Sequence, residues 1–210
     1  MQLGIFGSSG FAREVADLAF ESGFRNIVFV DSSASSAEAC DFPIVRESEI
    51  GRLVKQRYRF VIGIGDNQIR KRISGDFPSL PFTSIIHPHA TVSHRMKKQL
   101  EKTKGTLVFP GVRMTNNITI GNFSVIYLNA TVAHDSILEN YVMVAPGATI
   151  SGNVHVKEGA YIGANATVLQ GKSLENKLTI GAWSTVGAGG VVTGTVPSSV
   201  IVRGVPAKEH

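Results

Sequence analysis

The sequence contains one cysteine, few aromatic residues and no long apolar run. Because Cys40 has no second cysteine to pair with, a disulfide framework within the chain is excluded, and a cysteine-based zinc site is not expected. No stretch approaches the roughly 18 consecutive apolar residues of a transmembrane helix, so we expect no membrane insertion. The first residues lack the basic start of a secretory signal peptide, and we therefore expect a cytoplasmic protein.

The overall composition indicates a folded chain of one or two domains. Hydrophobic residues make up 43% of the 210 residues and charged residues 18%, which excludes an intrinsically disordered protein. The net charge of +5 is concentrated in residues 95–104, which hold five basic residues and one acidic residue. No aromatic residues interleave with this basic run, so we predict a solvated loop and no nucleic-acid binding.

Residues 1–82 alternate the patterns of buried strands and amphipathic helices. Leu3–Phe6, Ile27–Val30 and Phe60–Ile64 are short apolar runs typical of buried strands. Apolar residues recur at helical spacing over Phe11–Ser22. Strands that alternate with helices form parallel sheets, and three strands are about half of a doubly wound dinucleotide fold. The pattern therefore predicts an α/β, Rossmann-like half domain.

Residues 83–196 follow a period of six instead. Every sixth residue from Val108 to Val192 is Val, Ile, Leu or Met, and mostly small residues stand four positions later, with Lys172 as the clear misfit. Three hexads close one triangular coil, so these fifteen hexads predict five stacked coils. The pattern resembles the left-handed parallel β-helix of the hexapeptide-repeat acyltransferases, and it predicts an all-β domain of that kind.

The pair His134 and Asp135 is a candidate catalytic site. The register of the hexads points His134 outward near a corner, with Asp135 as the next residue. A carboxylate beside a histidine can fix its tautomer or raise its basicity, which a general base requires. The residues alone leave a surface histidine beside a surface aspartate as an equal alternative.

The turn Gly7–Gly10 is a candidate phosphate site. It lies between a predicted strand and a predicted helix, where backbone amides can bind an anion. Asp31 follows the second strand, 21 residues after Gly10, where an acidic residue reaches the ribose in nucleotide-binding sheets. A half-size domain suits one nucleotide better than a dinucleotide, so NAD is not expected.

Three motifs together resemble one subgroup of hexapeptide-repeat enzymes. They are Gly7–Val15, Asn129–Val154 and Arg203–Lys208, and the resemblance spans nearly the whole chain. The subgroup comprises the bacterial nucleotide-sugar and sialic-acid acetyltransferases, including the UDP-4-amino-sugar N-acetyltransferases of the bacillosamine pathway. The resemblance implies transfer of an acetyl group from acetyl-CoA to the amine of a nucleotide-linked 4-amino-4,6-dideoxy sugar, for bacterial glycan synthesis.

The same resemblance implies how the chain is organised. Residues 1–82 are expected to bind the nucleotide sugar, residues 83–196 to form the acyltransferase β-helix, and residues 197–210 to form a tail that closes the CoA site. The family works as a homotrimer, with acetyl-CoA in the groove between adjacent β-helices.

Site residues follow from the resemblance position by position. The residue expected to act as the catalytic base is His134, with Asp135 expected to support it. The residues expected to bind acetyl-CoA are Met143, Gly152, Ala164, Ala188, Arg203 and Lys208. The residues expected to bind the nucleotide sugar are Ser9, Gly10, Phe11, Asp31, Ser32 and Gly65. Some relatives have a second histidine where this chain has Met143, so only a backbone role is expected there. The amide of Gly152 is expected to polarise the thioester carbonyl.

Three alternative functions stay open at the level of sequence. The first is O-acetylation of sialic acid, where a hydroxyl replaces the amine. The second is a zinc enzyme similar to the γ-class carbonic anhydrases, for which His89 and His94 have suitable spacing but lack a third histidine, so no metal is expected. The third is a non-catalytic scaffold that binds nucleotides. The sequence does not distinguish which sugar and which nucleotide are bound.

Overall fold

The N-terminal part of the chain is a five-stranded sheet flanked by helices. A computed structural model describes residues 1–209. The elements are β1 (Gln2–Phe6), α1 (Gly10–Glu21), β2 (Asn26–Val30), β3 (Glu38–Ala39), β4 (Phe42–Val45), a 3₁₀ turn (Glu47–Glu49), α2 (Ile50–Lys55), β5 (Arg59–Ile62) and α3 (Asn67–Asp76). The sheet order is β3-β4-β2-β1-β5, parallel except for the β3–β4 pair. The predicted Rossmann-like half domain is confirmed, with β3, β4 and α2 as additions.

Local sequence explains where the helices begin and end. Helix α1 buries one apolar stripe against the sheet, and Gly23 follows its end at φ +95°, a conformation that glycine adopts without steric cost. Helix α3 starts where the side chain of Asp66 accepts a hydrogen bond of 2.9 Å from the amide of Ile69. Within residues 1–209, no helix combines the length and the apolar character needed to cross a membrane.

The rest of the chain is a parallel β-helix with three faces, and each face is named after the number of strands that it contains. The eight-stranded face comprises β6 (Ile85–Ile86), β8 (Leu107–Val108), β11 (Val125–Ile126), β14 (Met143–Val144), β17 (Tyr161–Ile162), β20 (Thr185–Val186), β22 (Ile201–Arg203) and β23 (Lys208–Glu209). The six-stranded face comprises β7 (Thr91–Val92), β9 (Arg113–Met114), β12 (Thr131–Val132), β15 (Thr149–Ile150), β18 (Thr167–Val168) and β21 (Val191–Val192). The four-stranded face comprises β10 (Thr119–Ile120), β13 (Ile137–Leu138), β16 (Val154–Val156) and β19 (Leu178–Ile180).

The period of six defines the core of this β-helix. Each predicted inward residue from Val108 to Val192 is at most 3% exposed, with the single exception of Leu174 at 55%. Five coils begin at β8, β11, β14, β17 and β20. The predicted hexapeptide-repeat fold is therefore confirmed.

The hexad around Leu174 is a correction to the predicted pattern. Successive coils normally pair residues 18 apart, as Leu138 and Val156 do, but Val156 pairs with Ile180, 24 residues later. The fourth coil thus carries an insertion of one hexad, and residues 170–177 form a loop rather than a strand. Leu174 matches the period by chance, because its neighbours in this loop are polar and cannot enter the core.

The basic segment is a second correction. Residues 94–100 form helix α4 (His94–Leu100), not a solvated loop. Met96 and Leu100 are 2% and 0% exposed and join the core of the β-helix. They are four residues apart, so they lie on one side of the helix, and the lysines occupy the other positions.

The two parts of the chain are joined by a buried arginine. Arg70 of α3 is 1% exposed, and its guanidinium donates to the carbonyl oxygens of Phe123 (3.0 Å), Tyr141 (2.9 Å) and Gly65 (2.7 Å). Burial lowers the pKa of Arg70 to about 10, against the opposing effect of Asp66. The N-terminal part therefore packs against the eight-stranded face of the β-helix through a charge that backbone carbonyls satisfy.

Candidate active site

His134 and Asp135 form a hydrogen-bonded pair at one corner of the β-helix. The Nδ1 atom of His134 lies 2.7 Å from Oδ2 of Asp135. The corner lies between β12 and β13, so it joins the six-stranded and the four-stranded faces. The side chain of His134 is 45% exposed. Because Nδ1 faces a carboxylate, Nδ1 carries the proton in the neutral ring and Nε2 is free to accept one.

A left-handed turn makes this contact between neighbouring residues feasible. Asp135 has φ +61°, which bends the chain so that its carboxylate reaches back to the preceding side chain. Aspartate tolerates this region better than most residues. Asn117 and Asn153, one coil to either side, have φ +52° and +57° and continue the same column of turns.

The carboxylate of Asp135 is held in its ionised form. Its Oδ1 atom accepts a hydrogen bond from Nδ2 of Asn117, and its backbone carbonyl accepts one from Nζ of Lys177. The hydrogen bond from Asn117 and that from His134 keep the pKa of Asp135 below its ordinary value, and the charge of Lys177 acts in the same direction. An ionised carboxylate can stabilise the imidazolium that forms when a base accepts a proton.

Gly152 lies against the imidazole ring from the next coil. A Cβ atom at this position would stand 2.6 Å from both Cε1 and Nε2 of His134. Only glycine therefore leaves the ring in place. Gly152 thus lies beside His134, as the spacing of one coil predicts. The role of the Gly152 amide in polarising the thioester stays a prediction.

The predicted nucleotide residues lie at the carboxyl ends of the parallel strands. A cavity of about 650 Å³ is lined by Ser9, Asp31 and Ser32, together with Arg72 from α3. The Asp31 carboxylate accepts hydrogen bonds from Ser8 Oγ (2.7 Å), Ser33 N (2.9 Å) and Ser33 Oγ (2.7 Å). Partial burial raises the pKa of Asp31, but these hydrogen bonds outweigh it and the pKa is lowered. The backbone amide of Ala34 lowers the pKa in the same direction, so protein donors already surround this carboxylate.

A second cavity separates the N-terminal part from the eight-stranded face. Its volume is about 680 Å³, and it contains Phe11 and Gly65 from the predicted sugar site together with Met143. Tyr127, Tyr161 and Trp183 supply aromatic surface. The predicted substrate residues thus divide between two cavities: Ser9 lines the first and Phe11 the second. Gly10, the first residue of α1, stands between them in the chain.

The predicted CoA residues do not all meet within one chain. Gly152 is at the corner of His134, whereas Met143 lies on the eight-stranded face and is 6% exposed. Ala164 and Ala188 follow β17 and β20, at the opposite edge of the six-stranded face, where the amide of Gly189 donates to the carbonyl of Ala164 (2.8 Å). The last two predicted residues, Arg203 and Lys208, are register partners in β22 and β23.

Within residues 1–209, His155 and His89 have ring contacts of their own. His155 lies 2.7 Å from Oε1 of Glu139 through its Nε2 atom, so its outward nitrogen is already paired. The ring of His89 meets the ring of His87 edge to face, with centroids 5.2 Å apart, and His94 starts helix α4. Across residues 1–209, no group of three or more His, Cys, Asp or Glu side chains could hold a metal ion.

Sequence reasoning missed several residues of these sites. Asn117 precedes Asp135 by 18 residues, one coil, so the hexad register could have placed it there. Lys177 lies 42 residues away on the inserted loop, and no periodic signal points to it. The aromatic residues of the second cavity, Tyr127, Tyr161 and Trp183, lie in or near strands β11, β17 and β20, so the register could have assigned them to the eight-stranded face.

Comparison with known proteins adds independent support for the fold. The family model of the PglD N-terminal domain matches residues 2–77. WeeI from Acinetobacter baumannii AYE is similar with a TM-score of 0.89 and 28% identity, and the match covers 100% of both chains. The acetyltransferase domain of PglB from Neisseria gonorrhoeae FA1090, solved with acetyl coenzyme A, is similar with a TM-score of 0.88 and 29% identity, over 100% of this chain and 98% of that one.

A third similar structure shows to which family the chain belongs. It is PerB from Caulobacter crescentus in complex with CoA and GDP-perosamine, with a TM-score of 0.87 and 30% identity over 100% of this chain and 97% of that one. A variant of this perosamine N-acetyltransferase, with one histidine replaced by asparagine, was solved with the same ligands. The chain described here therefore belongs to the hexapeptide-repeat family of nucleotide-sugar N-acetyltransferases.

Proposed function

We propose that this protein transfers the acetyl group of acetyl-CoA to the amine of a nucleotide-linked 4-amino-4,6-dideoxy sugar. The observation that carries the proposal is the His134–Asp135 pair, a half-exposed imidazole whose Nδ1 is held by an ionised carboxylate. Both co-substrates are cytoplasmic metabolites, so we place the reaction in the cytoplasm. The similar PerB structure contains CoA and GDP-perosamine, an amino sugar linked to a nucleotide.

The reaction needs one base and no acyl-enzyme. The sugar amine attacks the thioester carbonyl, and Nε2 of His134 takes the proton that the amine loses as the amide forms. Asp135 stabilises the resulting imidazolium and keeps the ring oriented. The tetrahedral intermediate then expels the CoA sulfur, which receives the proton from His134. Backbone amides near the base, with Gly152 as the candidate, stabilise the oxyanion.

We further propose that each active site is shared between two chains of a homotrimer. In a triangular coil, the corner between two faces is opposite the third face. His134 is therefore on the far side of the β-helix from the cavity that contains Phe11, Gly65 and Met143. A neighbouring chain can bring its own His134 corner to this cavity, and the CoA groove would then lie between two β-helices.

The two cavities of the N-terminal part fit a nucleotide sugar in this arrangement. Ser9, Asp31 and Ser32 line the cavity that would take the nucleotide, and the helix N-terminus at Gly10 suits a phosphate. The sugar would extend to the second cavity, beside Phe11. Arg203 and Lys208, at the end of the eight-stranded face, offer positive charge for the CoA phosphates. The base of the nucleotide, uracil or guanine, is to be identified by assay.

The catalytic assignment is tested with His134→Ala and the matched variant His155→Ala. We expect His134→Ala to lower kcat by roughly a hundredfold or more, the effect of losing a general base. Its melting temperature should stay close to wild type, because a half-exposed side chain leaves no core cavity. His155→Ala should keep the wild-type kcat. If His134→Ala retains more than half of the turnover at saturating substrates, the assignment is wrong.

The shared site is tested by mixing two damaged chains. His134→Ala chains keep the nucleotide cavity, and Asp31→Ala chains keep the base. The two chains are co-expressed with different tags, purified through both tags, and assayed below the KM for the sugar. A site shared around a ring gives every mixed trimer one intact site, so about a third of wild-type activity should return. No recovery in verified mixed trimers would place the whole site in one chain.

The same assay distinguishes the alternative substrate class. Nucleotide 4-amino sugars and sialic acid are offered separately with acetyl-CoA, and release of free thiol is followed. Turnover with sialic acid alone would favour O-acetylation. Substrate binding with no turnover on either class would favour a scaffold.

A further inference from the structure

The inserted loop of the fourth coil returns to the catalytic corner. Its first turn is fixed to the coil, because the amide of Gly171 donates to the carbonyl of Gly152 (3.0 Å). Its last residue, Lys177, donates from Nζ to the backbone carbonyl of Asp135. The loop is closed across its middle by the amide of Lys172 on the carbonyl of Asn176 (3.0 Å). Both ends of the loop thus hold residues that touch His134.

The hydrogen bond from Lys177 acts on the turn that makes the catalytic pair. Asp135 reaches His134 only because its backbone adopts the left-handed region, which costs free energy for a residue with a side chain. A carbonyl oxygen bonded to an ammonium group resists rotation of the peptide plane. The contact is charge-assisted and partly buried, which makes it stronger than a neutral hydrogen bond in solvent.

We propose that Lys177 is a positioning residue for acetyl transfer, one that fixes the Asp135 turn and so the orientation of the His134 imidazole. The proposal rests on the function proposed above. It assigns a purpose to the six-residue insertion, which is otherwise an exposed interruption of a regular coil. Asn117 holds the carboxylate from one side of the turn, and Lys177 holds the backbone from the other.

The test compares Lys177→Met with Lys177→Arg and with Lys172→Met on the same loop. Removing the ammonium group frees the turn, so we expect Lys177→Met to lower kcat about tenfold, because small displacements of a catalytic group are costly. The KM for both substrates should change less than twofold. Lys177→Arg should recover most of the rate, because a guanidinium can also donate to the carbonyl. Lys172→Met should behave as wild type.

A pH profile separates positioning from a merely structural effect. Two charged groups lie at this corner: the carboxylate of Asp135, which contacts the His134 ring, and the ammonium of Lys177, which contacts the backbone carbonyl of Asp135. Removing the cation favours the protonated imidazole, so the acid limb of the kcat/KM profile should move to higher pH in Lys177→Met. Lys177→Gln, which keeps a donor but no charge, should show the same movement with a smaller loss of kcat.

Three results would overturn the proposal. An unchanged kcat in Lys177→Met would show that the turn holds without Lys177. A raised KM for acetyl-CoA at constant kcat would assign Lys177 to CoA binding instead. A lowered melting temperature with an unmoved acid limb in every Lys177 variant would mean a structural role only. His134→Ala is measured in the same experiment. If His134→Ala stays active, the proposed catalytic base is wrong. If His134→Ala is inactive and Lys177→Met has the wild-type kcat, only the proposal for Lys177 is refuted.

Discussion

The substitution Gly152→Ala offers a local test of the catalytic geometry. The new Cβ atom would stand 2.6 Å from Cε1 and Nε2 of His134, about 0.8 Å short of the 3.4 Å at which ordinary contact begins. Gly152 has no positive φ, so alanine is compatible with its backbone and the conflict is with the ring alone. The ring must move by about that distance, and its 2.7 Å hydrogen bond to Asp135 is then lost or lengthened.

The expected effect is on rate rather than on stability. A displacement near 1 Å at a catalytic group costs up to about a hundredfold in rate, so we expect kcat to fall about ten- to a hundredfold. His134 is 45% exposed and can turn into solvent, so little packing is lost. Replacing glycine also stabilises by roughly 0.4–1 kcal/mol through the unfolded state. The melting temperature should therefore stay within a few degrees of wild type.

The chain offers a matched control for this substitution. Gly194 follows β21 by the same two residues as Gly152 follows β15, on the same face, and a Cβ atom there meets nothing within 4 Å. Gly194→Ala should keep the wild-type steady-state kinetics, and its melting temperature should be equal to or slightly above that of wild type. If Gly152→Ala also keeps its kcat within twofold, the imidazole position seen here is not the one that catalysis uses.

Three further predictions concern the other parts of the molecule. In steady-state kinetics, Asp31→Ala should raise the KM for the nucleotide sugar, and Arg203→Ala should raise the KM for acetyl-CoA. If each variant raises the KM for both substrates equally, the two residues do not serve separate substrates. Arg70→Met should lower the free energy of unfolding by about 2–4 kcal/mol, measured by urea denaturation, because three buried or partly buried carbonyls lose their donor; the exposed Arg52→Met serves as control. The pKa of Asp135 is lower in the folded protein than in the unfolded chain, so its ionised carboxylate stabilises the fold at pH values above the pKa of the unfolded chain. The difference in the free energy of unfolding between wild type and Asp135→Asn should therefore shrink as the pH falls below about 4. A difference that is independent of pH would contradict this prediction.

The fold could be predicted from the sequence where one periodic signal dominates. A period of six specifies which residues point inward, and the core follows it from Val108 onward. The same signal failed at Leu174, because one matching residue does not make a strand when Lys172 and the residues around it are polar. The helix at residues 94–100 was missed because its buried residues, Met96 and Leu100, are embedded in a run of lysines.

Only the parts of the site that follow the six-residue period could be predicted from the sequence. His134 and Met143 are nine residues apart, one and a half hexads, which already places them on different sides of the coil. The contact of Lys177 with Asp135 depends on how an inserted loop folds back, and no repeat encodes that. The docking of α3 depends on Arg70, and a buried arginine is not expected from composition, because arginine is usually exposed.

The most direct test of the central claim is the identity of the reaction product. Purified protein is incubated with acetyl-CoA and GDP- or UDP-linked 4-amino-4,6-dideoxy sugars, with His134→Ala in parallel, and the nucleotide sugar is analysed by mass spectrometry. We predict that the wild-type protein adds one acetyl group to the sugar, bound as an amide that resists mild base, with one CoA released per acetyl group. An unmodified nucleotide amino sugar, or an acetyl group that mild base removes as an ester, would contradict the account.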